Sequence, residues 1–458
     1  MLGAYLAKKG KRCYDSAMRL PPAFCNRMQR ELGDDYAAFL ASYQEDAQKG
    51  LRVNRGYIAD EKLLPLLRVP YEPVPYQAGA YYYRGYLGQH PLHQAGAFYL
   101  QDPSAMLTAA AVAIEPHHLV LDLCAAPGGK STQLAPKVPQ GLLVSNEIDL
   151  GRAKILMGNL ERMGYANTMT TSLAPAVMAD LFGAVFDVVV VDAPCSGEGM
   201  FRKTPAAVDE WSEANVDLCA ARQKEILDAA ARLVKEGGLL VYSTCTFSHQ
   251  ENEQSVRYLL DTGDFEGQMP TPEVVAATVA GDMPFCRRFY PHLGRGEGHF
   301  VAVLRRTKAA DVPPKMAPKR LLSAKERQAT ETFLQVAAGH VPTGELCYVN
   351  NQVCLVPRAM PVPPYGALSA GVKLGELQAS RKGLRIEPHH MLFKCLPLLQ
   401  RLDLAWDDPR VAQYLHGESL SLDVPDGWGT MCVEGCPVGG YKAVDGILKN
   451  HYPKGLRV

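Results

Sequence analysis

The chain lacks several features that would narrow its function at once. No apolar run in its 458 residues approaches the ~18 needed to cross a membrane, so no span is expected. It lacks net charge: 48 Lys and Arg balance 48 Asp and Glu. That excludes a global field drawing the chain to nucleic acid and leaves only local basic surface. It shows no internal repeat and no long low-complexity tract. Its twelve cysteines follow no regular framework, and many lie inside apolar runs. That is the pattern of reduced thiols in a cytoplasmic protein. Cys432 and Cys436 have no second pair of cysteines or histidines nearby at ligand spacing, so no metal is expected. Residues 1–17 carry Lys8, Lys9, Lys11 and Arg12 but no apolar core with a cleavage site. They are read as an arm rather than a signal peptide, with Met18 as an alternative start.

What is present points to an α/β protein of two to four domains, at roughly 100–200 residues each. Short apolar stretches at 119–124, 142–145, 188–191 and 239–242 read as strands. The β-branched run at 188–191 has the composition of a strand buried on both faces. Helical patterns at 152–163 and 218–234 lie between them, with Gly237 and Gly238 breaking the second. Residues 299–304 read as a last strand. Such alternation predicts a mostly parallel, doubly wound sheet.

Earlier in the chain, helices are expected over 24–32 and 35–43 and a strand over 51–54. An Ala-rich helix is expected over 105–114 behind Asp102, Pro103 and Ser104. The stretch 66–99 is rich in Pro, Gly and Tyr. It suits either a surface cradling a substrate or a β elaboration packing its own tyrosines. Residues 305–327 hold eight Lys and Arg against two acids, with three prolines, and read as a basic linker. Short strand-like pieces follow it.

Two groups of residues carry chemistry. Cys124, Ala125, Ala126, Pro127, Gly128, Gly129 and Lys130 form a glycine turn between the first strand and its helix, where a backbone can approach a ligand closely. Glu147, at the end of the second strand, is placed to accept hydrogen bonds from ribose hydroxyls. The turn is neither Gly-x-Gly-x-x-Gly nor a phosphate-binding loop. A nucleoside without phosphates fits better, and S-adenosylmethionine is the candidate.

The second group follows later strands: Asp192 with Cys195, and Cys245. Ligands of open α/β sheets bind beyond the carboxyl ends of the strands, so an acid and two thiols lie where a site is expected. One chemistry uses all these parts. Carbon 5 of a pyrimidine takes a methyl group only after a thiolate adds to carbon 6 and makes carbon 5 enamine-like. A carboxylic group near the ring nitrogen stabilises the base as charge shifts. The base must be single-stranded or flipped out of a helix. These residues leave the nucleophile open; Cys195, after Pro194 and near Asp192, is the simpler choice.

Leu121-Asp122-Leu123-Cys124-Ala125-Ala126-Pro127-Gly128-Gly129-Lys130, Asp192-Ala193-Pro194-Cys195-Ser196-Gly197 and Ser243-Thr244-Cys245-Thr246 resemble, in order, the three hallmark motifs of the Sun-type RNA cytosine-5 methyltransferases. Leu51-Arg52-Val53-Asn54, His90-Pro91-Leu92-His93, Gln101-Asp102-Pro103-Ser104-Ala105, Glu198-Gly199-Met200-Phe201-Arg202-Lys203 and the closing Asn450-His451-Tyr452-Pro453-Lys454-Gly455-Leu456 resemble its bacterial branch, the ribosomal RNA small-subunit methyltransferase F proteins. The resemblance implies a Rossmann-like methyltransferase core with an N-terminal α+β extension and a C-terminal α+β/β region ending in a PUA-like RNA-binding domain. The expected division is 1–19 flexible arm, 20–115 RNA-binding extension, 116–308 catalytic domain, 309–328 basic linker, 329–390 additional module and 391–458 PUA-like domain.

It further implies that Cys245 attacks carbon 6 and that Cys195 assists product release. Asp192 and Lys130 would hold the cytosine. Residues 124–130, Glu147 and Asp192 would line the cofactor pocket, with Ser172 at a position where Asp or Asn is usual. The implied partner is RNA, 16S ribosomal RNA or the small subunit, met by a cytoplasmic monomer without metal or membrane. Phosphate contacts are expected from Arg202, Lys203, residues 305–308, residues 381–385 and the C-terminal lysines. A transfer-RNA methyltransferase, a small-molecule or protein methyltransferase and a non-catalytic ribosome-assembly factor are the alternatives.

Overall fold

Four buried strands, three of them largely apolar and one threonine-rich, build the middle of the molecule, because strands buried on both faces are covered by helices. They are β1 (Leu119–Asp122), β2 (Leu142–Asn146), β3 (Thr168–Thr171) and β4 (Phe186–Asp192). The computed structural model describes residues 20–309, 319–357, 362–381 and 383–457. The expected arm at 1–19, the prolines of the basic linker and Lys382 lie outside the described residues.

The sheet continues with β5 (Val234–Thr244), β6 (Phe265–Gln268), β7 (Val279–Ala280), β8 (Cys286–Phe289), β9 (His299–Arg306) and β10 (Ala367–Ala370). Its order is β7-β8-β9-β5-β4-β1-β2-β3-β10, with β6 also pairing β9. Strands β3, β2, β1, β4 and β5 are parallel, and β9 runs against β5. This is the Rossmann-like architecture expected from the sequence. The order reverses between β1 and β4, which opens a crevice at their carboxyl ends.

Helix α1 (Leu150–Met163) starts where the Asp149 side chain accepts from the Arg152 N–H at 2.7 Å, and ends at Gly164 in the left-handed region. Helix α2 (Glu213–Ala231) is capped by Ser212 in the same way.

Three local expectations change. The second helix ends at Ala231 rather than 234, and Gly237 and Gly238 lie inside β5. They fall beside an irregularity where its pairing to β4 shifts between Phe186 and Val188. Gly237 has φ +74°, so the strand turns there without ending. The Ala-rich helix is only Leu107–Ala110, preceded by a 3₁₀ turn at Ser104–Met106. Its final carbonyls serve distant donors instead: Lys137 Nζ at Ala109, Thr271 Oγ1 at Ala110 and the Thr271 N–H at Ala111. The basic linker is interrupted by a strand at Arg320–Leu321. It then enters a helix, α3 (Ala324–Ala338), fixed by a capping box of Ser323 and Glu326.

The tyrosine-rich N-terminal stretch packs its own tyrosines. Strands Tyr71–Pro73, Ala80–Tyr83, Gly50–Val53 and Phe98–Gln101 form an antiparallel sheet in which Tyr82 and Tyr83 are buried. Tyr81 donates to Asp60 at 2.6 Å. This sheet is pinned to the core through Asn54, whose amide donates to the carbonyls of Gly96 and Met163, both at 2.9 Å. Beyond the core, one five-stranded sheet covers residues 320–388 and another covers 401–450.

Gly96 has φ +74°, and a Cβ there would lie 2.0 Å from the Arg162 carbonyl oxygen, where the N-terminal sheet meets the end of α1. Gly96→Ala is expected to destabilise the protein by about 2–4 kcal/mol through strain and overpacking. A thermal midpoint within about 1 °C of wild type would contradict that close approach.

Candidate active site

The site grows from the strand ends. β4 and β5 are parallel and in register, with Asp192 opposite Ser243. The loops leaving them carry Cys195 and Cys245, whose sulfurs lie 3.3 Å apart. Buried polar side chains clamp the two loops together. Glu251 accepts from the Ser196 N–H at 2.9 Å and from the Ser196 hydroxyl, and Gln223 donates both to Glu251 at 3.0 Å and to the Pro194 carbonyl at 2.9 Å. The Ser196 and Thr246 hydroxyls are 2.9 Å apart, and the Gly199 N–H donates to the Cys245 carbonyl at 2.8 Å. The hydrogen bond to Cys245, reinforced by burial, pushes the Cys195 thiol well above its usual pKa.

Lys130 reaches across from the glycine turn and donates to Asp192 Oδ2 at 2.6 Å, while Ser243 Oγ donates to Oδ1 at 2.8 Å. Burial alone would raise the Asp192 carboxyl; the Lys130 ammonium outweighs it, with His299 and Ser243 helping, and the net shift is downward. Lys130 is correspondingly held above its ordinary value, Asp192 outweighing its burial. His299, hydrogen-bonded to Thr108 Oγ1 at 2.8 Å, is pushed down to about 4 by burial and by Lys130, so its ring is neutral at pH 7.

The glycine turn is braced from three sides. Arg152 donates to the Ala126 carbonyl at 3.1 Å, Asn159 to Pro127 at 2.8 Å and Arg52 to Gly129 at 2.8 Å. Gly128 has φ +110°, and a Cβ on Gly129 would meet the Gln101 amide at 3.2 Å. Ala125 is buried, and its N–H donates to the Asn146 carbonyl at 2.8 Å. The Cys124 thiol is pushed up by burial and then by the neighbouring acids, so it is a neutral wall. Glu147 is buried at the end of β2, accepting from the Asp149 N–H at 3.1 Å with Arg152 at 3.3 Å. Below the turn, Asp122 Oδ2 accepts from Ser131 Oγ at 2.6 Å while Oδ1 is buried without a partner. A glycine turn with an orphaned acceptor and a buried acid nearby fits an uncharged nucleoside carrying a cationic group.

Ser172 follows β3. Its N–H donates to the Gly366 carbonyl at 2.8 Å, and its hydroxyl reaches the Ile148 carbonyl at 3.4 Å. It is therefore at the same rim as Glu147, but engaged by backbone.

Three expected RNA contacts are corrected. The Arg202 side chain is only 6% exposed, pairs with Glu297 at 3.0 Å and donates to the carbonyls of Ser42 and Gly296. Lys203 pairs with Asp102. Both cations are consumed inside the fold. Arg306 is likewise buried, whereas Arg381, Arg385, Lys449 and Lys454 are exposed. Among the described residues, the only group with metal-ligand spacing is His249, Glu253 and Asp282, and Glu253 is already paired with Arg288 at 2.7 Å. No helix among the described residues is long and apolar enough to cross a membrane.

Sequence reasoning missed the supporting groups: Asp122, Ser243, His299, Gln101, Glu251 and the bracing role of Arg52. Arg52 and Gln101 stood in quoted motifs, and Asp122 and Ser243 inside the hallmark ones. Their partners, scattered along the chain, gave no signal.

The chain matches three family models: 16S rRNA methyltransferase RsmB/F over residues 109–305, the N-terminal domain of 16S rRNA methyltransferase RsmF over 20–103, and the methyltransferase RsmF PUA domain over 401–458. It is 30% identical to the ribosomal RNA small subunit methyltransferase F of Erwinia tasmaniensis, with 97% of this chain and 98% of that one covered. It is 35% identical to the protein of the same name from Vibrio cholerae, with 81% of each covered. Among solved structures it resembles NSun6 from Pyrococcus horikoshii, with a TM-score of 0.58 over 64% of this chain and all of that one; at 19% identity this likeness concerns the fold.

Burial lifts the Asp122 carboxyl to about 7; Ser131 and Lys130 offset this in part, and Asp192 and Glu147 add to it. The unfolded value is about 3.9. The folded pKa of this acid is thus raised, so its stability contribution is greatest at low pH and is lost as pH climbs to about 7. Asp122→Asn removes that loss. Its stability relative to wild type is expected to rise between pH 5 and 7, by roughly 1–3 kcal/mol, and to level off above. Denaturant titrations showing a pH-independent difference would refute the assignment.

Proposed function

We propose, from the premise that the chain belongs to the ribosomal RNA small subunit methyltransferase F family, that it transfers a methyl group from S-adenosylmethionine to carbon 5 of cytosine in 16S ribosomal RNA through a covalent adduct on Cys245. The observation that carries this reading is the pair of sulfurs 3.3 Å apart, one strand end from the Lys130–Asp192 pair. A single thiol at a strand end is ordinary core chemistry. Two in contact, with a half-buried ion pair beside them, make a reaction centre.

S-adenosylmethionine, held by residues 124–130 and Glu147, supplies an electrophilic methyl group. Every other step falls to the protein. Cys195, whose thiol is pushed up, keeps its proton and donates it as a hydrogen bond toward Cys245. Cys245 forms the bond to carbon 6 of the cytosine as its own S–H bond breaks, and that proton ends on the ring nitrogen. Asp192, held ionised by Lys130, accepts from the protonated ring nitrogen as electrons move toward carbon 5. Carbon 5 takes the methyl group, a base removes the carbon-5 proton, and the carbon 6–sulfur bond breaks with Cys195 assisting. Residues 20–115 and 391–458 grip the RNA around an unpaired or extruded base. On this reading the protein works in the cytoplasm as a monomer without metal.

Cys245→Ala is expected to lose methyl transfer to 16S RNA by about three orders of magnitude or more. Cys195→Ala is expected to form the adduct but release it slowly, leaving RNA–protein complexes stable in detergent. Bisulfite sequencing of small-subunit RNA with and without the gene reads the product. A Cys245→Ala protein that still methylates cytosine sinks the mechanism, and loss of methyl groups from transfer RNA instead of 16S RNA sinks the substrate.

A further inference from the structure

The C-terminal module reaches into the cofactor half of the site. Strand β10 lies on the open edge of β3, antiparallel, with Ala367 opposite Thr171. That register carries the preceding residues, Tyr365 and Gly366, past the carboxyl end of β3. Gly366 has φ +78°, and a Cβ there would lie 2.4 Å from Leu173, so this backbone approaches closely only as glycine. Its carbonyl accepts the Ser172 N–H at 2.8 Å, and the Ser172 hydroxyl touches the Ile148 carbonyl at 3.4 Å. Three segments thus meet at one rim: the residue after Glu147, the end of β3, and Tyr365–Gly366 from a module nearly two hundred residues further on.

The rim is apolar and open. Ile148 is 63% exposed and Tyr365 58% exposed, although both are large apolar side chains in a folded corner. Ser172 offers only a hydroxyl, too short to span the edge of a purine. The ribose-binding acid Glu147 directly precedes Ile148, so a nucleoside held by its sugar at Glu147 would lay its base on this rim.

We propose that Tyr365 is the outer wall of the base pocket and stacks on the adenine of the cofactor, with Ile148 as the other wall. This rests on the reading of S-adenosylmethionine as the methyl donor. The C-terminal module then completes the cofactor site, and cofactor binding and the seating of residues 362–370 favour each other.

Calorimetry of S-adenosylhomocysteine binding to the full chain, without RNA, tests it. Tyr365→Ala is expected to raise Kd about tenfold and Tyr365→Phe less than about twofold, since the ring face and not the hydroxyl makes the contact. With Tyr365→Ala, KM for S-adenosylmethionine rises in parallel, while kcat at saturation, KM for RNA and the thermal midpoint stay at wild-type values. An unchanged Kd in Tyr365→Ala, or a Phe variant as weak as the Ala variant, overturns the inference. A wild-type protein that fails to bind S-adenosylhomocysteine takes down the donor reading, and this inference with it.

Discussion

The register of two parallel strands is the constraint from which the site follows. Asp192 and Ser243 face each other at the ends of β4 and β5, and their side chains are hydrogen-bonded at 2.8 Å. Loops leaving from one level can bring their sulfurs into contact, and Glu251 ties them there through Ser196. Shifting either strand by one residue would send its side chains to the opposite face and separate the thiols. The β-branched run that buries β4 is therefore also what positions the chemistry.

Preorganisation is visible in how charge is treated. A carboxylate and an ammonium buried singly would neutralise; Lys130 and Asp192 stay ionised because each answers the other. Asp122, one strand over, lacks such a partner and is lifted to about 7, and His299 is driven to about 4. Neighbouring titratable groups thus occupy different protonation states, as acid–base work requires. The turn at 124–130 is equally fixed. Arg52, itself pulled down to about 10 by burial, spends its guanidinium on Gly129 and Thr132 rather than on solvent or RNA.

How much of this was legible depended on whether cause and effect were close in sequence. The turn after β1, the acid after β2 and the thiols after β4 and β5 were readable because each is written beside the strand that places it. Arg202 and Lys203 were misjudged as RNA contacts because the acids that neutralise them, Glu297 and Asp102, are about a hundred residues away. The helix expected over 105–114 stops early because Thr271 and Lys137 claim its carbonyls, which no local propensity records. Gly237 and Gly238 read as the break that ends the preceding helix, since a glycine pair reads alike in a turn and in an irregular strand.

The C-terminal region was readable only as short strands and basic residues, and its placement changes what it can do. Residues 367–370 cover the edge of the catalytic sheet, which would otherwise expose unpaired backbone. Lys373 forms a buried ion pair with Glu161 of α1 at 2.9 Å. Lys394, lowered by burial to about 7, donates to the carbonyls of Ala95 in the N-terminal part and Pro437 in the last sheet. A module on a flexible tether raises the local concentration of whatever it binds but leaves every nearby nucleotide able to reach the site. A module built into the sheet and bolted through buried lysines holds any RNA it engages at one distance from Cys245. Positional selectivity along that RNA can then come from the fixed span, with the packing supplying the ruler.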